Sequence, residues 1–283
     1  MTQEIDDRPL TAGVCGDPVA QSKSPILFRH WFERYGISGH YVPLEVASAD
    51  FEHTIRGLLK AGFRGVNCTI PHKVAALEIA DEVSPSVAAI GAANTLVFQR
   101  DGTINADNTD AFGFIANLRA GAPDWTPAAA PAVMLGAGGA ARAGIFALLE
   151  AGVPTVRVLN RTREKANALA EHFGERVEAL SWEDRHGALD GAGLIVNSTS
   201  LGMVGSAPLD LALDDAPSTA VVTDMVYNPL ETELLASARN RGLRTVDGLG
   251  MLLHQARPGF RAWFGADPEV TPDLRAACLK GAS

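Results

Sequence analysis

Ala132-Val133-Met134-Leu135-Gly136-Ala137-Gly138-Gly139-Ala140-Ala141 is the stretch that decides the fold. An apolar run enters a Gly-x-Gly-x-x-Ala turn, and apolar residues at Ile145, Leu148 and Leu149 continue at helical spacing. Strand, turn and helix in that order make a dinucleotide fingerprint. Glycines permit the tight turn and close backbone approach, and the helix N-terminus faces a pyrophosphate. The next apolar run, residues 155–159, ends in Asn160-Arg161-Thr162. An NAD site usually carries an acid there, about 20 residues on, for the ribose 2′-hydroxyl. Asn-Arg-Thr in its place predicts a pocket for the 2′-phosphate of NADP. Arg163 and Lys165 add to a basic cluster with Arg161 suited to a phosphate, with a solvated helix face as the alternative. The fingerprint lies mid-chain, so a sizeable segment precedes it.

At 283 residues the chain suits two domains, each large enough for its own core. With 47% hydrophobic and 20% charged residues it reads as globular, with a disordered tail confined to the first eight residues. A net charge of −9 argues against nucleic acid or an anionic membrane as partner, yet leaves an anionic small substrate open. No apolar run is long enough for a bilayer, and no secretory pattern opens the chain, so a cytoplasmic protein is expected. Cys15, Cys68 and Cys278 are far apart in sequence and read as buried free thiols. With no Cys-x-x-Cys and no paired histidines, no metal is expected.

Along the chain, strands are expected at residues 10–15, 40–44 and 65–69. Helices follow at 25–35, with Ser24 as N-cap and Pro25 at the first helical position, at 51–61 before Gly62, and from Pro71 onward. A hairpin spans 94–99 and 103–106 around Asp101-Gly102, and a helix covers 111–118. The Pro/Ala-rich run 121–131 is the best domain boundary. Beyond it, strands at 132–135, 155–159, 194–197 and 220–224 with intervening helices predict a doubly wound parallel sheet. Periodicity does not decide which domain the last helical stretches, from 249 onward, join.

Three polar clusters could carry chemistry. Ser22 and Ser24 flank Lys23 in an extended segment, so both hydroxyls can share a side. A helix cap and a polar loop are the alternative. Asn67 and Thr69 likewise alternate at a strand end, and Lys73 opens the next helix against its dipole, a placement that an anionic neighbour would offset. A solvated lysine is the alternative, and His72 reads as surface or as a neighbour of the site without a role. The loop Asn105-Ala106-Asp107-Asn108-Thr109-Asp110 holds more polar groups than one cap needs, and Asp110 is a candidate partner for Lys73.

Taken in order, these segments resemble the shikimate dehydrogenase family, including its quinate/shikimate relatives. The matching pieces are Gly16-Asp-Pro-Val-Ala-Gln-Ser22-Lys-Ser24-Pro25, Asn67-Cys-Thr69-Ile-Pro71-His-Lys73, Gly91-Ala-Ala-Asn94-Thr95-Leu96 and Asp107-Asn108-Thr109-Asp110. They continue through Gly136-Ala-Gly-Gly-Ala140, Asn160-Arg-Thr162, Asn197-Ser-Thr-Ser-Leu-Gly-Met203, Asp224-Met-Val-Tyr227-Asn-Pro229 and Asp247-Gly-Leu-Gly-Met-Leu-Leu-His-Gln255-Ala256. Each is modest evidence; their joint order is specific.

The resemblance implies an α/β protein of two domains with a cleft between them. An N-terminal substrate domain, 1–110, would be completed by C-terminal helices at 249–283. A Rossmann-type NADP domain would span 121–248, with 111–120 as connecting helix. It implies NADPH-dependent reduction of 3-dehydroshikimate to shikimate, with Lys73 as acid/base and Asp110 beside it. Ser22 and Ser24 would bind the substrate carboxylate, and Thr69, Asn94, Asp110 and Gln255 its hydroxyls. Asn67 belongs with this group, Tyr227 would lie near the substrate, and Gln255 would face Ser22 and Ser24. Gly136, Ala137, Gly138, Gly139, Ala140, Asn160, Arg161, Thr162 and Lys165 would hold NADP, with Met225 and Gly248 approaching it. Cys68 stands where the family often has valine, an apolar swap.

A base lysine must lose its proton, and free lysine titrates near ~10.4, so shikimate oxidation should quicken toward alkaline pH. A quinate/shikimate enzyme of broader range is the near alternative. A non-catalytic NADP-responsive protein on the same fold is the remote one, disfavoured because Lys73 and Asp110 are both intact. A monomer or a homodimer fits equally.

Overall fold

The computed structural model describes residues 9–280, so the tail expected at residues 1–8 lies outside them. In chain order the elements are β1 (Thr11–Gly16), α1 (Ser24–Tyr35), β2 (His40–Glu45), α2 (Phe51–Lys60), β3 (Gly65–Cys68), α3 (Lys73–Glu78), β4 (Glu82–Val83), α4 (Pro85–Ile90), β5 (Thr95–Phe98) and β6 (Ile104–Asp107). There follow α5 (Asp110–Gly121), β7 (Ala132–Leu135), α6 (Gly139–Glu150), β8 (Val156–Leu159), α7 (Arg163–Phe173), β9 (Val177–Leu180), β10 (Leu194–Asn197), β11 (Val221–Asp224), α8 (Glu233–Asn240), β12 (Arg244–Val246), α9 (Leu249–Phe264) and α10 (Pro272–Lys280). The chain divides into two units, Met1–Thr109 with Gln255–Ser283, and Asp110–His254.

The first unit is built on a mixed sheet in the order β2-β1-β3-β5-β6-β4. β1 pairs in parallel with both β2 and β3, and β5 runs antiparallel to β3 and β6. β1 and β3 are covered on both faces, which is why their sequences are nearly continuous apolar runs. Local chemistry sets the turns. α2 ends where Gly62 adopts φ +85°, with Gly62 N donating to Leu59 O and Phe63 N to Leu58 O. In the β5–β6 hairpin, Gly102 adopts φ +92° and Asp101 Oδ1 accepts from Thr103 N.

The end of the chain, from Gln255 onward, clusters with this unit, whereas residues 249–254 cluster with the second. Trp263 Nε1 donates to Leu96 O at 3.1 Å, and Trp31 Nε1 to Glu269 O at 3.0 Å. Phe28, Trp31, Phe32, Phe260, Trp263 and Phe264 form one aromatic group. Gly65 permits it: a Cβ there would run into Leu96 O and the Trp263 indole.

The second unit is an all-parallel sheet in the order β12-β11-β10-β7-β8-β9. The chain winds outward from β7 through β8 to β9, then returns to β10 on the other side of β7. The switch point therefore lies between β7 and β10. Its core includes Val133, Leu135, Leu159, Ile195, Val222 and Leu235, all buried.

Several expectations are corrected. The N-cap of α1 is Lys23 rather than Ser24; Ser24 is the first helical residue and Pro25 the second. α3 begins at Lys73, two residues after Pro71. β4, α4, β9 and β12 were not expected. The division falls at Thr109/Asp110, a helix earlier than the Pro/Ala-rich run, and α5 packs with the second unit. Asn117 Nδ2 donates to Asp247 O at 2.7 Å, and Gly121 lies against Val246.

Candidate functional site

In the first unit, residues that are remote in sequence meet at one end of the sheet. Ser22 and Ser24 follow β1, Asn67 and Thr69 finish β3, and Asn94 precedes β5, whose Thr95 is in register with Asn67. Tyr41 Oη donates to Asn67 Oδ1 at 2.6 Å. Asn67 Nδ2 donates to Thr95 Oγ1 at 3.0 Å and to Asn94 O at 3.2 Å. Asn94 Oδ1 accepts from Thr109 N at 2.8 Å and from Thr95 Oγ1 at 3.0 Å, while its Nδ2 donates to Thr109 Oγ1. Gln255 Oε1 accepts from Thr109 Oγ1 at 3.3 Å. Buried polar groups are stable only when partnered, so this chain of bonds fixes which amide face each asparagine presents.

Lys73 opens α3 and is half-buried. Its carbonyl accepts from Ala93 N at 2.9 Å, tying the helix start to the residue before Asn94. His72 is not a surface residue: it is 1% exposed, stacks on Phe51 and bonds through Nε2 to Val46 O at 2.8 Å. It therefore anchors the backbone next to Lys73. Thr69 N donates to Cys15 O, and a Cβ at Gly16 would meet Thr69 Cγ2 at 2.5 Å, so glycine permits β1 to lie this close. Cys15 and Cys68, paired in register, are buried and free, as is Cys278. Burial pushes the Cys15 thiol up to about 12 and raises Cys68 well above the ordinary thiol range, so both stay protonated. Asp110 is the first residue of α5, buried, and counted with the second unit.

The second unit holds the glycine turn. Gly136 is buried at φ +110°, and a Cβ there would meet Ser198 Oγ at 2.6 Å, across the β7/β10 switch point. Gly138 is the N-cap of α6; no side chain caps that helix, and a Cβ at Gly138 would meet open space. Gly138 and Gly139 are exposed, Ala137 and Ala140 partly so. An uncapped helix start with exposed glycine amides suits an anion. Asn160, Arg161 and Thr162 leave the adjacent strand β8; Asn160 Nδ2 donates to Thr162 O at 2.8 Å, and Arg161 and Lys165 are exposed.

Asp224, at the end of β11, was not expected to matter. It accepts from Asn197 Nδ2, Val226 N and Thr232 Oγ1, tying the loops after β10 and β11 together. Burial nevertheless raises its carboxyl above the usual range. Burial also raises the phenol of Tyr227, which follows Met225 and Val226 in the loop after β11. Gly248 abuts this loop: a Cβ there would sit 2.6 Å from Met225 O and Val226 O. Tyr41, Thr95, Thr109, His72 and Asp224 had no role in the sequence reading. For four of them the signal is positional, since each adjoins a residue that was singled out. Tyr41 is the exception, and only the fold reveals its partner.

A parallel sheet with an uncapped glycine turn at its switch point defines an α/β dinucleotide-binding protein, here joined to a unit with an ordered polar site. The chain matches the shikimate dehydrogenase substrate binding domain over residues 14–96, the Shikimate / quinate 5-dehydrogenase family over 125–204, and the Shikimate 5'-dehydrogenase C-terminal domain over 248–278. It is 57% identical to a Roseobacter denitrificans protein named Shikimate dehydrogenase (NADP(+)), covering 95% of this chain and 97% of the relative. Among solved structures it is similar to Thermus thermophilus shikimate 5-dehydrogenase in complex with NADP(H) and shikimate, at 39% identity and TM-score 0.84, over 95% of this chain and 98% of that one. It is also similar to Corynebacterium glutamicum quinate dehydrogenase in complex with NAD, at 30% identity and TM-score 0.89, over 96% and 99%. The chain belongs to the shikimate dehydrogenase family.

Proposed function

We propose that this chain is an NADP-dependent shikimate dehydrogenase, interconverting 3-dehydroshikimate and shikimate, with Lys73 as acid/base and Asp110 as its partner. One observation carries the residue assignment. Asn67, Asn94, Thr109 and Gln255, from four separate stretches of chain, are joined in one bonded network at the sheet end where Ser22, Ser24 and Lys73 also stand. Such a network pre-orients amide and hydroxyl groups toward a polyhydroxylated ring, and the two serines supply donors for its carboxylate. Lys73 gives a proton to the carbonyl oxygen during reduction and takes it back in oxidation, while Asp110 orients the ammonium. Tyr227 flanks the ring.

The second unit fits NADP. The open space at Gly138 and the uncapped start of α6 suit a pyrophosphate, and exposed Arg161 and Lys165 suit a 2′-phosphate. When bound, NADP supplies or accepts the hydride. Asn160 and Thr162 shape the phosphate loop, and Met225 and Gly248 border the nicotinamide. Substrate and cofactor are small molecules, and a monomer or homodimer working in the cytoplasm suits them. Among the described residues no helix is long and apolar enough to cross a membrane.

A broader quinate/shikimate activity is the second reading, favoured by the similarity to a quinate dehydrogenase bound to NAD. Nicotinamide absorbance with shikimate or quinate, each with NADP or NAD, tests both. Reduction of NADP with shikimate alone is the expected result. Comparable rates with quinate and NAD move the assignment to the broader enzyme, and no turnover from folded protein removes both.

A further inference from the structure

Ser22 and Ser24 are separated by a lysine that the reaction does not use. Lys23 is only 8% exposed, and its ammonium donates to Cys278 O at 3.1 Å, 255 residues along the chain. Cys278 lies toward the C-terminal side of α10 as described, Pro272–Lys280, the side to which the helix dipole turns its negative end. A cation there is favourably placed. At its own end the same residue is oddly chosen, because Lys23 is the N-cap of α1, a position that usually carries a short side-chain acceptor. Its side chain makes no cap bond and reaches to α10 instead.

We infer that Lys23 is a positioning residue, through which the C-terminal end of α10 holds Ser22 and Ser24 in place to receive the substrate carboxylate. This rests on the reading of those serines given above. The backbone of Lys23 sets the local geometry: its carbonyl accepts from Ile26 N at 3.1 Å and Leu27 N at 3.2 Å, and Ser24 N donates to Ser22 Oγ at 3.3 Å. A shift of Lys23 therefore moves both hydroxyls. The far half of α1 has its own ties to the segment before α10, from Trp31 Nε1 to Glu269 O and from Glu269 N to Tyr35 Oη. Lys23 makes the link at the end that bears the serines. Leu274 and Cys278, both fully buried, seat α10 firmly enough to serve as the fixed side of that link.

The test compares Lys23→Met, which keeps the stem and removes the ammonium, with Lys23→Arg, which keeps the charge. The methionine variant is expected to raise KM for shikimate about tenfold, with kcat and KM for NADP changed less than about twofold, because only ground-state binding of one ligand is affected. The arginine variant restores most of the loss. Because coupling is reciprocal, shikimate should also slow amide hydrogen exchange over residues 276–280 in the unmodified protein. That second measurement decides the matter if Lys23→Met fails to fold. An unchanged KM in the methionine variant, or exchange over 276–280 that is indifferent to shikimate, overturns the inference and leaves the proposed activity standing. An unmodified protein that does not oxidise shikimate removes the proposed activity and this inference with it.

Discussion

At the scale of single residues, the two ligands make separable demands. Lys73 stands at the start of α3, with the backbone before it anchored by His72 and its own carbonyl held by Ala93 N. Removing its ammonium should therefore delete proton transfer without disturbing the turn that carries it. Lys73→Ala is expected to lower turnover by at least ~100-fold, the usual contribution of a placed acid/base, while leaving NADP affinity within about twofold. Steady-state rates alongside a fluorescence titration of NADP measure both, and a variant that loses cofactor affinity in step with turnover would overturn the assignment. Arg161 makes the opposite case. It is exposed beside the glycine turn and its expected partner is a phosphate, so Arg161→Ala should weaken NADP by about 10-fold or more and narrow the preference over NAD. An unchanged ratio of the two cofactors would exclude it.

Among the elements, what the sequence made legible was what local periodicity and turn chemistry record. Most strands of both sheets, the hairpin with Asp101-Gly102 at its tip and the glycine turn after β7 carry their own signals. β4, β9 and β12 do not. They are edge strands, β4 and β12 only two and three residues long, and they exist because a neighbouring strand offers them bonds. Ser24 looked like a cap because serine before proline usually is one, but the Lys23 carbonyl already accepts from Ile26 N and Leu27 N, which starts the helix one residue earlier. The site was legible as segments, and its cross-links, such as Tyr41 to Asn67, were not, since nothing in sequence links β2 to β3. Asp224 is another such cross-link, and it makes a pH prediction. Burial raises its native value above the unfolded ~3.9, so the native state binds more protons between those two values and stability falls as pH rises through that window. Asp224→Asn keeps the shape and removes the charge. Its melting temperature relative to the unmodified protein should therefore be more favourable at pH 7 than at pH 4, and a difference independent of pH would refute this.

Taken whole, the chain folds its first unit from both of its ends and its second unit from the middle. The two sheets do not share strands, and each unit has its own buried core, in one case around Phe51, Val66 and Leu96 and in the other around Val133, Ile195 and Val222. Trp263 belongs to the late segment that completes the first unit, fully buried within the aromatic group and bonded to Leu96 O. Trp263→Ala removes a large buried side chain and leaves that carbonyl without its indole donor, a loss of roughly 3–5 kcal/mol by comparison with other buried aromatic deletions. The loss falls on the first unit. In urea, the variant should show an early transition reported by the near-ultraviolet signal of the remaining aromatic group. The second unit should still bind NADP at denaturant concentrations beyond that first step, because β7, α6 and the phosphate loop all belong to the unit of residues 110–254. A single transition, with aromatic signal and NADP binding lost together and shifted equally, would mean that the two cores stand or fall as one, and that the division of labour between the units is one of function alone.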